Sequence, residues 1–246
     1  MTDEAKKKTA AEYGLEFSDK YSKSKADDYY VKHKDSMGRR ISDWWEHRMA
    51  RKALAMAGSP RVILDLPCGA GRFWDLLVED PERELYAADN SEGMVKVADQ
   101  SHPPEIRTRF KLFQTSAFNI DMPDESVDNI FCMRLLHHVG DAADRLRIYN
   151  EFHRVTRDSV CLSLWVDGNI KAMRRRKLDE ARASGKKPRK REKSKTFQNR
   201  FLQQRSVIEK EFTEAGFRIA GKVDFLPGYS MWRTYVLKKQ AGDVAP

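Results

Sequence analysis

The stretch RVILDLPCGAGRF, residues 61–73, decides how the rest of the sequence is interpreted. Its first six residues form a nearly continuous apolar run, which is typical of a β-strand buried on both faces of a sheet. Gly69 and Gly71 follow at once, and residues 72–80 then carry Phe73, Leu76 and Leu77 at helical spacing. Glycines at a strand-to-helix junction let the backbone turn sharply and let a ligand approach it closely. The stretch therefore predicts a strand, a ligand-binding turn and a helix.

The segments on either side repeat this alternation of strand and helix. Further strands are predicted at residues 85–88, 110–115, 127–133 and 160–166, and helices at residues 42–57, 91–100 and 141–156. Strands that alternate with helices form βαβ units and hence a parallel sheet. A helix at 205–215 and two strands at 217–225 and 231–237, joined at Pro227-Gly228, complete the expected α/β fold. The prediction is one domain over residues 1–246, with residues 1–57 as an N-terminal cap segment.

The composition excludes several classes of protein. The 246-residue chain is 40% apolar and 10% aromatic, which is enough for a sizeable core and excludes wholesale disorder. The longest apolar runs fall well short of the ~18 residues that a membrane span needs, and the N-terminus lacks the apolar run of a signal peptide. Cys68, Cys132 and Cys161 lie in or beside apolar runs without metal-ligand spacing. They predict reduced thiols in a cytoplasmic protein, with no metal site.

The net charge of +9 comes from one segment of the chain. Fourteen lysines and arginines but only three acids fall between Lys171 and Arg200, while the rest of the chain carries −2. We interpret residues 171–198 as a basic insertion after the fifth strand. From Lys171 to Lys195 it is able to bind RNA, anionic lipid headgroups or a phosphorylated glycolipid, and the alternative is a solvated, partly disordered insertion. Because few apolar residues interrupt it, a membrane-inserting face is not expected.

The glycine turn and an acid after the second strand together predict a nucleoside site. The G-x-G-x-x-G fingerprint of a dinucleotide site fails, because Trp74 occupies the place of the third glycine. Asp89 closes the second strand, 24 residues after Asp65, and a carboxylate there can accept hydrogen bonds from both ribose hydroxyls. The carboxyl ends of the first four strands would bring these segments to one edge of the sheet, where ligands of open α/β sheets bind.

In these features the sequence resembles the class I S-adenosylmethionine-dependent methyltransferases, over residues 61–237. The resemblance rests on five elements in order, which are DLPCGAG (65–71), AADNSEGM (87–94), FNIDMPDESVD (118–128), MRLLHH (133–138) and EAGF (214–217). The fourth is common in the small-molecule branch that includes ubiquinone-biosynthesis methyltransferases. The resemblance implies a Rossmann-like, seven-stranded, mostly parallel sheet with one antiparallel strand and helices on both faces. It also implies S-adenosyl-L-methionine as cofactor and methyl transfer as the reaction.

The resemblance also implies roles for individual residues. Asp65, Gly69 and Gly71 would line the methionine end of the cofactor, and Pro67 stands in the place of the family's first loop glycine. Asp89 would hold the ribose. The remaining candidates are Asn90 and Met94 beside the adenine, Ser116, Ala117 and Phe118 at the base edge, and Arg134 where the backbone meets the cofactor's amino group. Ser116 replaces an acid that many members carry.

His137 and His138 have two interpretations. One is catalytic, because a neutral imidazole can remove the proton of an acceptor. The other is structural, because adjacent histidines after a strand often pack or hydrogen-bond, and this interpretation is the favoured one. The N-terminal aromatic residues, among them Tyr13, Tyr21, Tyr29, Tyr30, Trp44 and Trp45, similarly either cover the acceptor pocket as a lid or anchor a helix on the domain.

The sequence thus predicts a methyltransferase whose acceptor is small or lipid-linked, with an anionic or phosphorylated acceptor, such as a cell-envelope glycolipid, suited to the cationic insertion. One alternative is an RNA-modifying methyltransferase that binds the RNA backbone through that insertion. A second alternative is a non-catalytic module that binds the cofactor and acts through partners. The protein is expected in the cytoplasm, either free or at the inner face of the membrane. The acceptor atom and the oligomeric state have no signal in the sequence.

Overall fold

A computed structural model describes residues 37–184 and 200–240 of the chain. The strands are β1 (Val62–Asp65), β2 (Glu84–Asp89), β3 (Phe110–Gln114), β4 (Val127–Cys132), β5 (Thr156–Trp165), β6 (Phe217–Asp224) and β7 (Trp232–Lys239). The helices are α1 (Met37–Met56), α2 (Trp74–Leu77), α3 (Glu92–Ser101), α4 (Pro104–Arg107), α5 (Ala142–Val155), α6 (Ile170–Ala183) and α7 (Arg205–Glu214), with a 3-10 turn at Leu136–His138.

The strands of the described residues form one seven-stranded sheet in the order β3-β2-β1-β4-β5-β7-β6. Strands β1 to β5 pair in parallel, and β7 runs antiparallel to both β5 and β6. The order reverses direction between β1 and β4, and this is where ligands bind in open α/β sheets. The predicted mostly parallel sheet with an antiparallel strand is confirmed.

Both faces of the sheet are buried, which explains the continuous apolar runs. Leu64 belongs to a core cluster that includes Ile148 and Phe152 of α5 and Phe212 of α7. The neighbouring residue Ile63 belongs to the cluster on the other face, where α1 packs through Ala50, Ala53 and Leu54. Successive strand residues point to opposite faces, so both alternating sets of residues in a central strand are mostly apolar. The helices on both faces are likewise confirmed.

Several predicted element boundaries differ from those of the structure. The helix expected at 72–80 is only the single turn α2, and β5 begins at Thr156 rather than at residue 160, directly after α5. Helix α1 begins at Met37, before the predicted residue 42. Ser91 caps α3 as predicted, because its side chain accepts a hydrogen bond from the Met94 amide at 3.3 Å.

The first part of the basic insertion is the helix α6, which the sequence pattern did not predict. Its Ala172 is buried against Trp165 and Met231, and its Arg175 is also buried, paired with Asp179 at 2.8 Å. Residues 185–198 of the insertion lie outside the described residues, as do Tyr13, Tyr21, Tyr29 and Tyr30 of the cap segment. None of the helices in the described part of the chain has the length and apolar content that a bilayer span requires.

Candidate functional site

A cavity of about 190 Å³ opens at the carboxyl edge of the sheet, at the ends of β1, β2, β3 and β4. Eleven of the thirteen candidate residues from the sequence line it, namely Pro67, Gly69, Asp89, Asn90, Met94, Ser116, Ala117, Phe118, Arg134, His137 and His138. Four separate segments of the chain therefore meet at one site. The parallel sheet brings them together because all of its strand ends lie on the same side.

Asp89 fastens the glycine turn to the start of α3. One carboxylate oxygen accepts a hydrogen bond from the Gly69 amide at 3.1 Å, and the other accepts one from the Ser91 amide at 2.9 Å. Each oxygen keeps further acceptor capacity. The turn itself needs glycine, because Gly69 has a φ of 55° and lies in the left-handed region.

The Asp89 carboxyl has a raised pKa, of about 6. Its removal from water is the largest cause, and the hydrogen bonds from the amides of Ser91, Gly69 and Asn90 offset part of the effect. The carboxyl is therefore mostly ionised at neutral pH but protonated in mild acid. An ionised carboxylate with free acceptor capacity in a cavity suits a ligand with hydroxyl donors.

Asp65 and Gly71, the remaining two candidates, do not line the cavity. Asp65 is 2% exposed and accepts a hydrogen bond from the indole nitrogen of Trp74 at 3.2 Å. Burial raises its pKa well above the usual value. A Cβ on Gly71 would lie 2.5 Å from His102 and 2.8 Å from Trp74. Both residues therefore hold the turn from behind and are not part of the cavity wall.

The part of the cavity wall that is predicted to contact the adenine base is apolar. Met94 packs with Ala70 and Val97 and is 4% exposed. Ser116 has a local bond, because its hydroxyl accepts a hydrogen bond from the Phe118 amide at 3.3 Å. This bond lies within the loop after β3, and Phe118 also lines the cavity. The residues Ala117 and Phe118 are themselves almost fully buried.

His137 also lines the cavity, in the turn that follows β4. It is 1% exposed, and neither ring nitrogen has a hydrogen-bond partner among the described residues. The ring stacks on Trp165 at 5.4 Å and meets the edge of Trp232 at 4.7 Å. Burial, followed by the positive charge of His138, Arg200 and Arg134, lowers its pKa well below the usual value. The imidazole is therefore neutral at pH 7.

Comparisons with known proteins identify the domain. A family model described as "Methyltransferase domain" matches residues 63–159, which hold β1 to β4, the start of β5 and most of the cavity wall. A demethylmenaquinone methyltransferase from Geobacillus kaustophilus is 31% identical over 123 residues.

Residues 63–159 therefore form a methyltransferase domain.

The alignment with the Geobacillus protein covers 48% of this chain and 50% of that protein, so the chain spans about half the length of the curated relatives it matches. Among solved structures, magnesium protoporphyrin IX methyltransferase from Synechocystis PCC 6803 with bound SAH aligns with a TM-score of 0.65. The identity is 14%, and the alignment covers 90% of this chain and 97% of that one. An S-adenosylmethionine-dependent methyltransferase from Aquifex aeolicus gives a TM-score of 0.58 at 19% identity, over 88% and 98% of the two chains. At these identities the structural matches show the fold.

The cavity of the methyltransferase domain fits its family's cofactor in chemical terms. A nucleoside needs acceptors for its ribose hydroxyls and an apolar slot for its base. Asp89 offers the acceptors, and Met94, Ala117 and Phe118 offer the apolar slot. Asn90 and Ser91 also line the cavity. These residues would hold S-adenosyl-L-methionine in this domain.

Sequence reasoning missed several residues that line the same cavity. They include two arginines, Arg72 and Arg200, and the apolar side chains of Phe73, Leu135 and Ile148. Arg72 directly follows the glycine turn, so its position could have indicated it. Arg200 is far from the other motifs in sequence, and it is placed by the Phe201 amide, which donates to the His137 carbonyl at 2.7 Å. No local pattern signals such a contact.

Proposed function

We propose that the protein transfers a methyl group from S-adenosyl-L-methionine to an acceptor that binds at the His137 end of the cavity. The observation that supports this most is that Asp89 and the neutral imidazole of His137 line one cavity. When bound, the cofactor supplies a methyl group on a sulfonium, whose leaving group is neutral and needs no acid. The protein then has to align the acceptor and remove its proton.

His137 is the candidate for that proton transfer. Its ring is unprotonated at neutral pH, and both nitrogens are without partners among the described residues. A buried ring nitrogen that accepts no hydrogen bond is costly. A hydroxyl or amine of the methyl acceptor that donates to this nitrogen would supply the missing hydrogen bond. His138, whose ring centroid lies 4.0 Å away and which is partly exposed, gives the proton a route toward solvent.

The cationic lining of the cavity favours an anionic acceptor. Arg72, Arg134 and Arg200 all contribute to the lining, although Asp43 and Glu46 offset part of the charge of the first two. Guanidinium groups bind phosphate and carboxylate oxygens in pairs. We therefore propose a small or lipid-linked acceptor that carries an anionic group, with a phosphorylated glycolipid of the cell envelope as one example.

RNA is a second candidate, because α6 exposes a row of cations. Arg174, Arg176 and Lys177 are all exposed on this helix, and the RNA backbone attracts such a row. No aromatic residue lies between Lys171 and Thr196, so the segment cannot stack bases as single-strand binding surfaces do. For this reason the small or lipid-linked acceptor is preferred.

The test is to incubate the purified protein with methyl-labelled cofactor and an extract of cells that lack it. The label is then fractionated into lipid, small-molecule, RNA and protein pools. We expect the label in the lipid or small-molecule pool, and none with Asp89→Ala, whose cofactor binding should be lost by calorimetry. Label in RNA would establish the second candidate instead. Cofactor binding without label in any pool would overturn the proposal in favour of a non-catalytic binding module.

A further inference from the structure

We propose that the protein docks on an anionic lipid bilayer through a surface formed by α1, the turn between β6 and β7, and the start of α6. This surface, called the docking surface below, is made of apolar side chains within a rim of cations. It lies at the same edge of the sheet as the cavity. The inference concerns binding alone and does not depend on which acceptor the proposed reaction uses.

The apolar part consists of six large side chains that are exposed to solvent. They are Ile41 and Trp44 on α1, Leu226 and Tyr229 in the turn, and Ile170 and Met173 on α6. Trp44 is 57% and Met173 is 53% exposed. On each helix the two residues are three positions apart and hence share a face. Of the ten large apolar side chains exposed in the described residues, these six lie on the docking surface, and Met56 lies at the other end of α1.

Direct contacts join the three elements into one surface. On one side of the turn, the ring of Trp45 meets that of Phe225 at 5.9 Å, and Trp45 also contacts Trp44 at 6.0 Å. On the other side, the amides of Ile170 and Lys171 donate to the carbonyls of Gly228 and Tyr229, each at 3.0 Å. The turn is thus tied to both helices, and its apolar side chains are held beside theirs.

The turn holds Leu226 in an unfavourable backbone conformation. Its φ is 48°, in the left-handed region, and its side chain is 39% exposed. Left-handed backbone is costly for residues other than glycine, and strained residues of this kind cluster where a partner is bound. The described residues leave the Leu226 side chain partly exposed, so its burial does not offset the free-energy cost of the backbone conformation. A partner that covers this side chain would offset that cost.

The rim of the docking surface is positive. Arg40, Arg48, Lys171, Arg174 and Lys177 are exposed on α1 and α6. Two of these cations lie against aromatic rings of the surface. The Arg48 guanidinium is 5.9 Å from the centre of the Trp44 ring, and the Lys171 ammonium is 5.0 Å from that of Tyr229.

Acids on the same elements do not cancel this charge, because they are paired with other cations. Asp43 and Glu46 of α1 pair with Arg72, and Asp224 at the end of β6 pairs with Arg233. On α6, Asp179 pairs with Arg175. Apolar and aromatic side chains surrounded by lysine and arginine are the pattern of proteins that insert shallowly into anionic membranes. The charge of the surface therefore selects a bilayer with anionic headgroups.

The docking surface adjoins the His137 end of the cavity. The Phe225 amide donates to the Trp232 carbonyl at 3.0 Å, and the Trp232 ring contacts both His137 and the guanidinium of Arg134. One layer of side chains thus separates the bilayer from the acceptor end of the site. The sequence interpretation excluded a membrane-inserting face because the basic insertion has few apolar residues, whereas the structure supplies most of them from α1 and the turn.

The experiment is co-sedimentation of the full chain with vesicles. One set is phosphatidylcholine alone, and the other contains about a third phosphatidylglycerol. The variant Trp44→Ser/Leu226→Ser removes two apolar residues of the docking surface, and the matched control Val207→Ser/Ile219→Ser removes two exposed apolar residues elsewhere. We expect binding to the anionic vesicles that weakens with salt, a loss of at least about tenfold in the first variant, and little change in the control.

Three results would overturn the proposal. The first is no binding of the wild-type chain to anionic vesicles, since the surface would then be covered by another part of the chain. The second is an equal loss of binding in both double variants. The third is a concentration-dependent dimer, measured by analytical ultracentrifugation, that Trp44→Ser/Leu226→Ser dissociates, because a second copy would then be the occupant. Binding to RNA but not to vesicles would count against the proposal in the same way as the first result.

Discussion

Glu46 of α1 pairs with the guanidinium of Arg134, 88 residues later in the chain, at 3.2 Å. The same carboxylate lies 3.4 Å from Arg72. Since both arginines line the cavity, the N-terminal helix is tied to the site by one acid. Helix α1 is therefore part of the wall that supports the site as well as part of the core.

Glu46→Ala should destabilise the protein by about 1–3 kcal/mol, because it leaves two half-buried arginines without one of their acceptors. Urea denaturation measures the change in the free energy of unfolding. The matched control is Glu79→Gln, which removes the exposed ion pair between Arg51 of α1 and Glu79 and should cost less than about 1 kcal/mol. Equal losses in the two variants would contradict a special role of Glu46.

Asp89 makes cofactor binding depend on pH. Because the pKa of this carboxyl is about 6, affinity for S-adenosyl-L-methionine should be constant above about pH 7 and fall as the carboxylate is protonated below pH 6. Calorimetry from neutral to mildly acid pH measures it. In Asp89→Asn the affinity should be lower by about tenfold or more and independent of pH in this range. Glu84→Gln, at the exposed start of the same strand, should behave like wild type.

The Asp89 carboxyl should change the stability of the fold with pH in the opposite direction to cofactor affinity. A carboxyl whose pKa is higher in the folded than in the unfolded state stabilises the fold when protonated, and this contribution is lost as the pH rises through about 6. The free energy of unfolding of the ligand-free protein, relative to Asp89→Asn, should therefore decrease between about pH 4 and pH 7. A relative increase over that range would show that the carboxyl is not shifted upward.

His137→Phe should keep the aromatic packing against Trp165 and Trp232 but remove the proton acceptor. With the acceptor identified from the labelled pools, we expect kcat to fall by about 10²–10⁴-fold and the cofactor affinity to stay unchanged. His153→Phe, a histidine that packs on Phe217 and does not line the cavity, is the control. If His137→Phe retains the wild-type kcat, the histidine serves packing alone.

Gly71→Ala should destabilise the protein more than Gly69→Ala. Both glycines have positive φ, so an alanine costs about 1–2 kcal/mol at either position. At Gly71 the new Cβ would also lie within 3 Å of Trp74 and His102, whereas at Gly69 the nearest atom is 3.8 Å away on Met94. Thermal unfolding of the two variants compares them. The same melting temperature in both would mean that the Trp74 and His102 side chains move aside freely.

Glu211→Ala should cost about 3–5 kcal/mol of stability. Arg145 and Glu211 form a buried pair with bonds of 2.6 and 2.9 Å between α5 and α7, and Arg145 also donates to the Gly140 carbonyl at 2.7 Å. Loss of the carboxylate leaves the guanidinium buried with only backbone acceptors. Glu214→Ala, exposed on the same helix, should change the free energy of unfolding by less than about 0.5 kcal/mol.

The sequence predicted those parts of the fold whose signals are local. Strand β1 and its neighbours were found because burial on both faces requires continuous apolar runs, and Asp89 was found because it follows a strand at a fixed distance from the glycine turn. The length of α2 and the start of β5 were wrong, since packing and pairing with neighbouring elements set those boundaries. The insertion's helix α6 was missed because its many charges hide the few residues, such as Ala172, that pack.

The residues of the candidate site were likewise predictable only where their signal in the sequence is local. Asp65 occupies the position of a cofactor contact in the motif. In the structure, the indole of Trp74 holds it behind the turn. Nothing in the sequence indicates that a residue nine positions later is its partner. Arg200 reaches the cavity through a backbone contact with His137. The docking surface combines side chains from α1, α6 and a turn that lie between residues 41 and 229, so no window of the sequence contains it.

The two amides held by Asp89 limit how this pocket can be redesigned. A substitution chosen to admit a different sugar would also release Gly69 and Ser91, and the polypeptide segments that frame the pocket would drift apart. Selectivity would have to be altered at Met94 or Phe118 instead, where side-chain shape can vary while the turn stays fastened. Divergence among such pockets should accordingly spare the acid and accumulate in the surrounding apolar wall.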